Sequence, residues 1–122
     1  MGRPVVTNLL IPFQVPREFL VGETPQQVLE RLFLDKLLFR GDLVTGVATG
    51  LRKWGSVWED EDRPGMFDAQ VRASLSVLAL RDGASIEEAL HPSCPVELEF
   101  IACPGTTFRG YIFQYERGRN AH

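Results

Sequence analysis

Phe67-Asp68-Ala69-Gln70-Val71-Arg72-Ala73-Ser74-Leu75-Ser76-Val77-Leu78-Ala79-Leu80-Arg81 alternates apolar and polar side chains almost without error. Phe67, Ala69, Val71, Ala73, Leu75, Val77 and Ala79 share one face, while Asp68, Gln70, Arg72, Ser74 and Ser76 share the other. A period of two belongs to a strand with one dry face. A strand this long, dry on one side and small-polar on the other, implies a curved antiparallel sheet lying over a helix.

Upstream, the acidic run Glu59-Asp60-Glu61-Asp62 and Arg63-Pro64-Gly65 read as a connecting loop. Before it, Asp42 to Trp58 reads as a strand whose Gly46, Gly50 and Gly55 mark bends or bulges. Thr24-Pro25-Gln26-Gln27 combines an N-cap threonine, proline at the first helical position and glutamine at N3, so a helix opens there and Gly41 closes it. Val5 to Val15 reads as a first strand, and Pro12 within it points to a sheet edge. Downstream, Asp82-Gly83 is a turn and Ser85-Ile86-Glu87-Glu88 begins a short helix limited by Pro92. Val96 to Ala102 and Phe108 to Arg117 form a hairpin around Cys103-Pro104-Gly105-Thr106. The expected fold is α+β: a single domain over 1–122, an antiparallel sheet packed on one main helix, in the order β-α-β-β-α-β-β. As an order of elements, a capped helix, a Gly46-x-x-x-Gly50 strand, the alternating strand and a terminal hairpin resemble two families. These are the small self-assembling regulatory proteins of the adenovirus early region and the tip domain of RNA polymerase stalk subunits; no residue is carried over from either.

The 122 residues are enough for one core and too few for two. A hydrophobic content of 44% with 24% charged residues is that of a soluble globular chain, and no run nears the roughly 20 apolar residues that cross a bilayer. Met1-Gly2-Arg3-Pro4-Val5-Val6 is too short an apolar stretch for a secretory signal and lacks an acylation pattern, so the expected location is cytoplasmic, with no membrane partner. A net charge of −3 argues against a nucleic-acid footprint built on clustered lysine and arginine. Cys94 and Cys103 flank a strand that sets their Cα atoms about 30 Å apart. That excludes a mutual disulfide and a shared metal site, so no cofactor or metal is expected.

Of the two histidines, His122 is terminal, and a catalyst would have to be built on His91. His91-Pro92-Ser93-Cys94 reads as a turn rather than a held nucleophile and base, and two further metal ligands have no source. Gly46 to Lys53 lacks the spacing and the Lys-Ser/Thr ending of a phosphate loop, and Glu59 to Asp62 lacks the spacing of a calcium loop. No catalytic residue is assigned. Arg109-Gly110-Tyr111-Ile112-Phe113-Gln114-Tyr115, as a strand, aligns Arg109, Tyr111, Phe113 and Tyr115 on one face, where bases can stack. Its start resembles the RNP1 motif of RNA-recognition domains, which implies single-stranded RNA binding on Arg109 to Tyr115, but Ile112, Gln114 and Glu116 depart from the motif. The alternative is that the aromatics pack beneath the helix.

Two features favour a protein partner. On the wheel of the helix opened by Thr24, Val28, Leu29, Leu32, Phe33 and Phe39 form the core stripe, leaving Leu34, Leu37 and Leu38 on the opposite side; either the chain's own strands cover them or the helix ends near Asp35, or else the helix is wedged against a partner subunit. Trp54 and Trp58, four apart beside Arg52 and Lys53, point the same way if the strand is unbroken. The expected function is therefore a non-catalytic, protein-binding or self-assembling regulatory or adaptor domain, acting as a homodimer or higher oligomer. Its contacts would be Leu34, Leu37, Leu38, Trp54 and Trp58. The competing expectation is a small enzyme or ligand carrier with a pocket between sheet and helix, lined by Phe67, Tyr111 and Trp54. There Asp68, Asp35 or Glu99 would act as acid or base.

Overall fold

The computed structural model describes residues 4–118; the expectations on the N-terminal residues before Pro4 and on His122 fall outside them. The order is β1 (Val5–Pro16), a 3-10 turn (Arg17–Leu20), α1 (Pro25–Leu32), β2 (Leu37–Gly41), β3 (Val44–Lys53), β4 (Trp58–Glu59), β5 (Met66–Leu80), α2 (Ile86–Ala89), β6 (Pro95–Phe100), β7 (Phe108–Tyr111) and β8 (Gln114–Arg117). Every strand pairing is antiparallel, and β1, β5, β3, β2, β6 and β7 follow one another around a ring that returns to β1. β4 extends the wall beside β5, and β8 continues past β7 along β1.

The expected α+β sheet over a main helix is thus incorrect: the structure is a closed six-stranded β-barrel. The alternating face of β5 is dry as expected, but it looks into the barrel. Ala69, Val71, Ala73, Leu75 and Val77 are buried there with Ile11, Phe13, Leu37, Phe39, Leu98 and Phe100. Small Ala48, Ala69 and Ala73 lie among large phenylalanines, which lets a narrow barrel fill without voids. Burying each large side chain contributes about 1.5–3 kcal/mol.

Closure requires sharp local bending, and extra residues provide it. The register of β1 slips between Val6 and Leu9, that of β3 between Thr49 and Arg52, where Gly50 has φ 65°, and that of β3 against β5 between Thr45 and Gly46. The last slip places an extra residue in β5 at Leu78. The alternation read as far as Ala79 therefore ends at Val77, leaving Leu78 and Ala79 exposed.

α1 begins as expected. The Thr24 hydroxyl accepts from the Gln27 backbone N–H at 3.3 Å, and the Gln27 side-chain oxygen accepts from the Thr24 N–H at 2.9 Å. It does not run to Gly41. The helix stops at Leu32, and Leu37–Gly41 is a strand in which Leu37 and Phe39 point into the barrel while Leu38 points out. Phe33-Leu34-Asp35-Lys36-Leu37-Leu38-Phe39 carries no glycine or proline, and pairing of Leu37–Gly41 with β3 and β6 selects the strand. Val28, Leu29 and Leu32 are buried at the barrel end to which α1 connects, and Ile86, Ala89 and Leu90 are buried beyond the C-terminal end of β5. The helix is thus an end cap, and the order of elements no longer supports the two resemblances drawn from it.

Two further readings are corrected. Pro12 does not mark an edge: β1 pairs with β5 along its length and with β7 and β8 on its other flank. The missing N–H is tolerated because the β7/β8 flank is a broken ladder, paired at Phe13↔Gly110 and again at Leu10↔Gln114. Asp42 to Trp58 is not one strand either, since β3 ends at Lys53 and Gly55, at φ 72°, turns the chain before β4.

Cys94 and Cys103 are free and half-buried, at opposite ends of β6. Intact mass after alkylation under native conditions followed by denaturation should show two additions with or without reductant; one disulfide surviving the unreduced arm would contradict the strand between them. At the other barrel end Arg117 Nη1 lies 2.7 Å from Glu87 Oε1 and ties β8 to α2. The Glu87 carboxyl is held below its ordinary value by a backbone hydrogen bond first and by Arg117 second. A carboxylate depressed by folding stabilises above its unfolded pKa of about 4.3 and loses that contribution as pH falls through the lowered folded value. Arg117→Ala should therefore raise the Glu87 titration midpoint in a side-chain NMR titration, and an unchanged midpoint would show that the ion pair is not formed.

Candidate functional site

Along β1 the buried residues Ile11, Phe13 and Val15 alternate with outward-facing Pro12, Gln14 and Pro16. These three form the floor of a groove of about 840 Å³ on the outer wall of the barrel. One side is built by Trp58 on β4, Met66 and Asp68 on β5, and Arg63. The other is built by Arg109 and Tyr111 on β7, by Phe113, and by the Pro92, Ser93 and Pro95 connection. Gly110 keeps the floor low. A Cβ there would lie 2.5 Å from the Pro12 carbonyl oxygen, so only glycine lets β7 approach β1 this closely.

Three aromatics stand half-exposed around this groove: Trp58 at 47%, Tyr111 at 47% and Phe113 at 58%. Exposed aromatics gathered about one depression are unusual for a surface with no partner. The acidic loop is fastened to the same wall. Gln14 Nε2 donates to Asp60 Oδ2 at 2.8 Å and to Asp68 Oδ1 at 3.0 Å, while Gln14 Oε1 accepts from Arg63 Nη1 at 2.8 Å. Glu59 Oε1 accepts from Arg17 Nη2 and from the Gly65 N–H, each at 3.1 Å. The loop from Glu59 to Gly65 is thereby held against the groove instead of hanging free.

Of the residues singled out in the sequence, the groove brings together Trp58, Arg109, Tyr111 and Phe113. Trp54 and Tyr115 lie elsewhere, in a depression of about 340 Å³ with Asn8, Arg72, Gln114 and Glu116. Trp54 does not share a side with Trp58 because the strand breaks between them; instead the Arg72 guanidinium sits 5.1 Å from its ring centroid. Asn8, at φ 48° in the β1 bulge, accepts from Arg72 and donates to Glu116, so these side chains secure the bulge. Tyr115 leaves the Arg109–Phe113 face because β8 restarts out of phase after Ile112 and Phe113. Leu34 is 82% exposed beyond α1, Leu37 is sealed in the barrel and Leu38 faces outward on β2. Leu37 therefore has no surface to offer a partner. Pro12, Gln14 and Arg63 were missed. The alternation of Val5 to Val15 signalled the outward pair on β1, but an edge assignment leaves no second wall.

The barrel interior is filled by side chains, and the depression beside α1, next to Leu29, Phe33 and Leu51, has only about 170 Å³. Asp35 Oδ1 accepts from the Lys36 N–H at 2.8 Å, Glu99 pairs with Arg40, and Asp68 is held by Gln14. Phe67 packs its ring beneath the Arg17 guanidinium, at 5.9 Å. His91 Nδ1 accepts from the Ser93 N–H at 3.1 Å and meets the Ser93 hydroxyl at 2.6 Å, while the Cys94 thiol points to the Glu88 carbonyl oxygen at 3.8 Å. Histidine and thiol thus have separate partners. Among the described residues no three His, Cys, Asp or Glu side chains converge on a metal position, no charged side chain is buried, and no helix is long and apolar enough to cross a membrane. No protein family, curated protein or solved structure matches this chain.

Proposed function

We propose that this protein is a non-catalytic binding module whose outer groove receives a polypeptide. The observation that carries the reading is the placing of Trp58 on one wall and Tyr111 and Phe113 on the other of an 840 Å³ groove, all half-exposed, over a floor with fixed polar groups. Aromatic anchors about a depression are the usual energetic centre of a protein-binding surface. An enzymatic reading has less support: Asp68 is engaged by Gln14, and Ser93, which lines the groove with its hydroxyl 2.6 Å from His91 Nδ1, has beside it a histidine that no carboxylate among the described residues orients. RNA has less support as well: Arg109 and Tyr111 face an opposite wall that carries Asp68 and the acidic loop, a poor match for phosphates. Two free thiols accord with a reducing compartment such as the cytoplasm.

Selection from a displayed peptide library should enrich peptides on the wild type and not on a Trp58→Ser, Tyr111→Ser variant of unchanged melting temperature. Those peptides should shift the amide NMR signals of Gln14, Gln70 and Tyr111. Peptides that bind both proteins equally, or shifts confined to another face, would overturn the assignment. Sedimentation distinguishes the occupant. A wild-type oligomer that becomes monomeric in the double variant makes a second copy of this chain the natural guest of the groove.

A further inference from the structure

We infer that the groove is shaped for a proline-rich segment in the polyproline II conformation, carrying a lysine or arginine beside Trp58. The inference rests on the reading of the groove as a polypeptide site and names the chemistry of its guest. The floor strand decides the backbone. β1 is already paired with β5 on one flank and with β7 and β8 on the other, so a guest lying over it has no ladder to join. Strand addition onto the floor is thereby excluded, since it requires a free edge, and the edge strand β4 offers only the two residues Trp58 and Glu59. An extended guest must be satisfied without pairing. Polyproline II is that conformation, for it has no internal hydrogen bonds and is largely ordered before binding.

The walls fit the same guest. Trp58 and Tyr111, half-exposed on opposite walls, supply aromatic surface for pyrrolidine rings, and the Trp58 indole N–H and Tyr111 hydroxyl have no partner among the described residues. Both are suited to donate to the carbonyl oxygens that such a segment leaves bare. Charge supplies the orientation. On the Trp58 side the chain carries Glu59, Asp60, Glu61, Asp62 and Asp68, with Arg17 paired to Glu59 and Arg63 bonded to Gln14 Oε1, whereas Arg109 stands on the opposite wall; a guest cation is therefore drawn to the Trp58 end. A cation over the indole face would gain both this field and the cation–π attraction.

The test is fluorescence polarisation with a labelled twelve-residue peptide of Pro-Pro-Ala triplets bearing one arginine. Saturable binding is expected, weakened about tenfold by Trp58→Ser or Tyr111→Ser and about tenfold when glutamate replaces the peptide's arginine. Glu61→Lys with Asp62→Lys, both on the exposed loop, should erase the arginine preference while retaining binding of the proline triplets. If library-selected peptides without proline occupy the groove and the triplet peptide does not, the polyproline inference fails and the polypeptide reading stands. If no peptide of either kind binds, both fail. Binding of dodecathymidylate that Tyr111→Ser abolishes would replace both with a nucleic-acid site.

Discussion

Phe100→Ala should lower stability by about 3–5 kcal/mol, the largest loss expected of any single truncation in this barrel. Phe100 is fully buried at the end of β6, with ring centroids 5.7 Å from Phe13, 5.6 Å from Phe33 and 5.6 Å from Phe108. It joins three separate parts of the structure: the floor strand β1, the segment after α1 and the first residue of β7. Truncation leaves a void between rings that are themselves held by closure of the barrel, so little collapse can relieve it. A domain of this size should lose about 12 °C or more in melting temperature. Phe113→Ala is the matched control: that ring is 58% exposed in the groove, and its removal should change stability by no more than about 0.5 kcal/mol. Comparable melting losses for the two would mean that the aromatic cluster is not the centre of the core.

Gly110→Ala should, with Gly46→Ala, be among the most damaging additions of a single methyl group, costing about 3 kcal/mol, the upper part of the ordinary range for overpacking. Its Cβ would fall 2.5 Å from the Pro12 carbonyl oxygen and 3.1 Å from both Ile11 Cγ2 and Phe13 Cβ. The nearest obstacle is backbone, which cannot rotate away. Since Phe13↔Gly110 is the registered pair between β1 and β7, the substitution pushes apart the seam that closes the ring. Urea denaturation gives the cost, and hydrogen exchange locates it, because the Phe113 N–H bonded to the Leu10 carbonyl oxygen at 2.9 Å should lose protection. Gly41→Ala provides the opposite sign. A Cβ there meets Val44 Cγ1 at an ordinary 3.5 Å, and with a conformation open to any residue the change should stabilise by about 0.4–1 kcal/mol. A Gly110→Ala protein as stable as wild type would show that the seam is looser than described.

What the sequence disclosed and what it concealed follow from the range of the interactions involved. The alternation from Phe67 to Val77 and the capping boxes at Thr24 and Ser85 are local patterns, and each appears where expected. A dry strand face, however, looks the same whether it covers a helix or lines a barrel. The choice was made by Gly110 against Pro12 and Gly46 against Ser76, contacts between residues far apart in the chain. Gly46, expected to mark a bend or bulge, does sit at the register slip next to Thr45, and it also serves a close approach that no local pattern signals, since a Cβ would lie 2.5 Å from the Ser76 carbonyl oxygen. The end of α1 was concealed because Phe33 to Phe39 carries no glycine or proline to stop a helix. As for the groove, Trp58, Tyr111 and Phe113 stand out in the sequence, but their meeting across Pro12 and Gln14 depends on β1 being central, and Pro12 argues locally against that.

The double pairing of β1 also sets a timetable for the nascent chain. As the ribosome releases the polypeptide, β1 emerges almost a hundred residues ahead of the β7 residues that cover its second flank. Until then one side of an apolar strand is bare, and the ring cannot close however well β1 and β5 have paired. Topologies dominated by such distant pairings fold in milliseconds to seconds rather than microseconds, and a chain stalled before Gly110 would keep an open edge able to recruit a second chain. For this barrel, prompt completion of synthesis is itself a protection against aggregation.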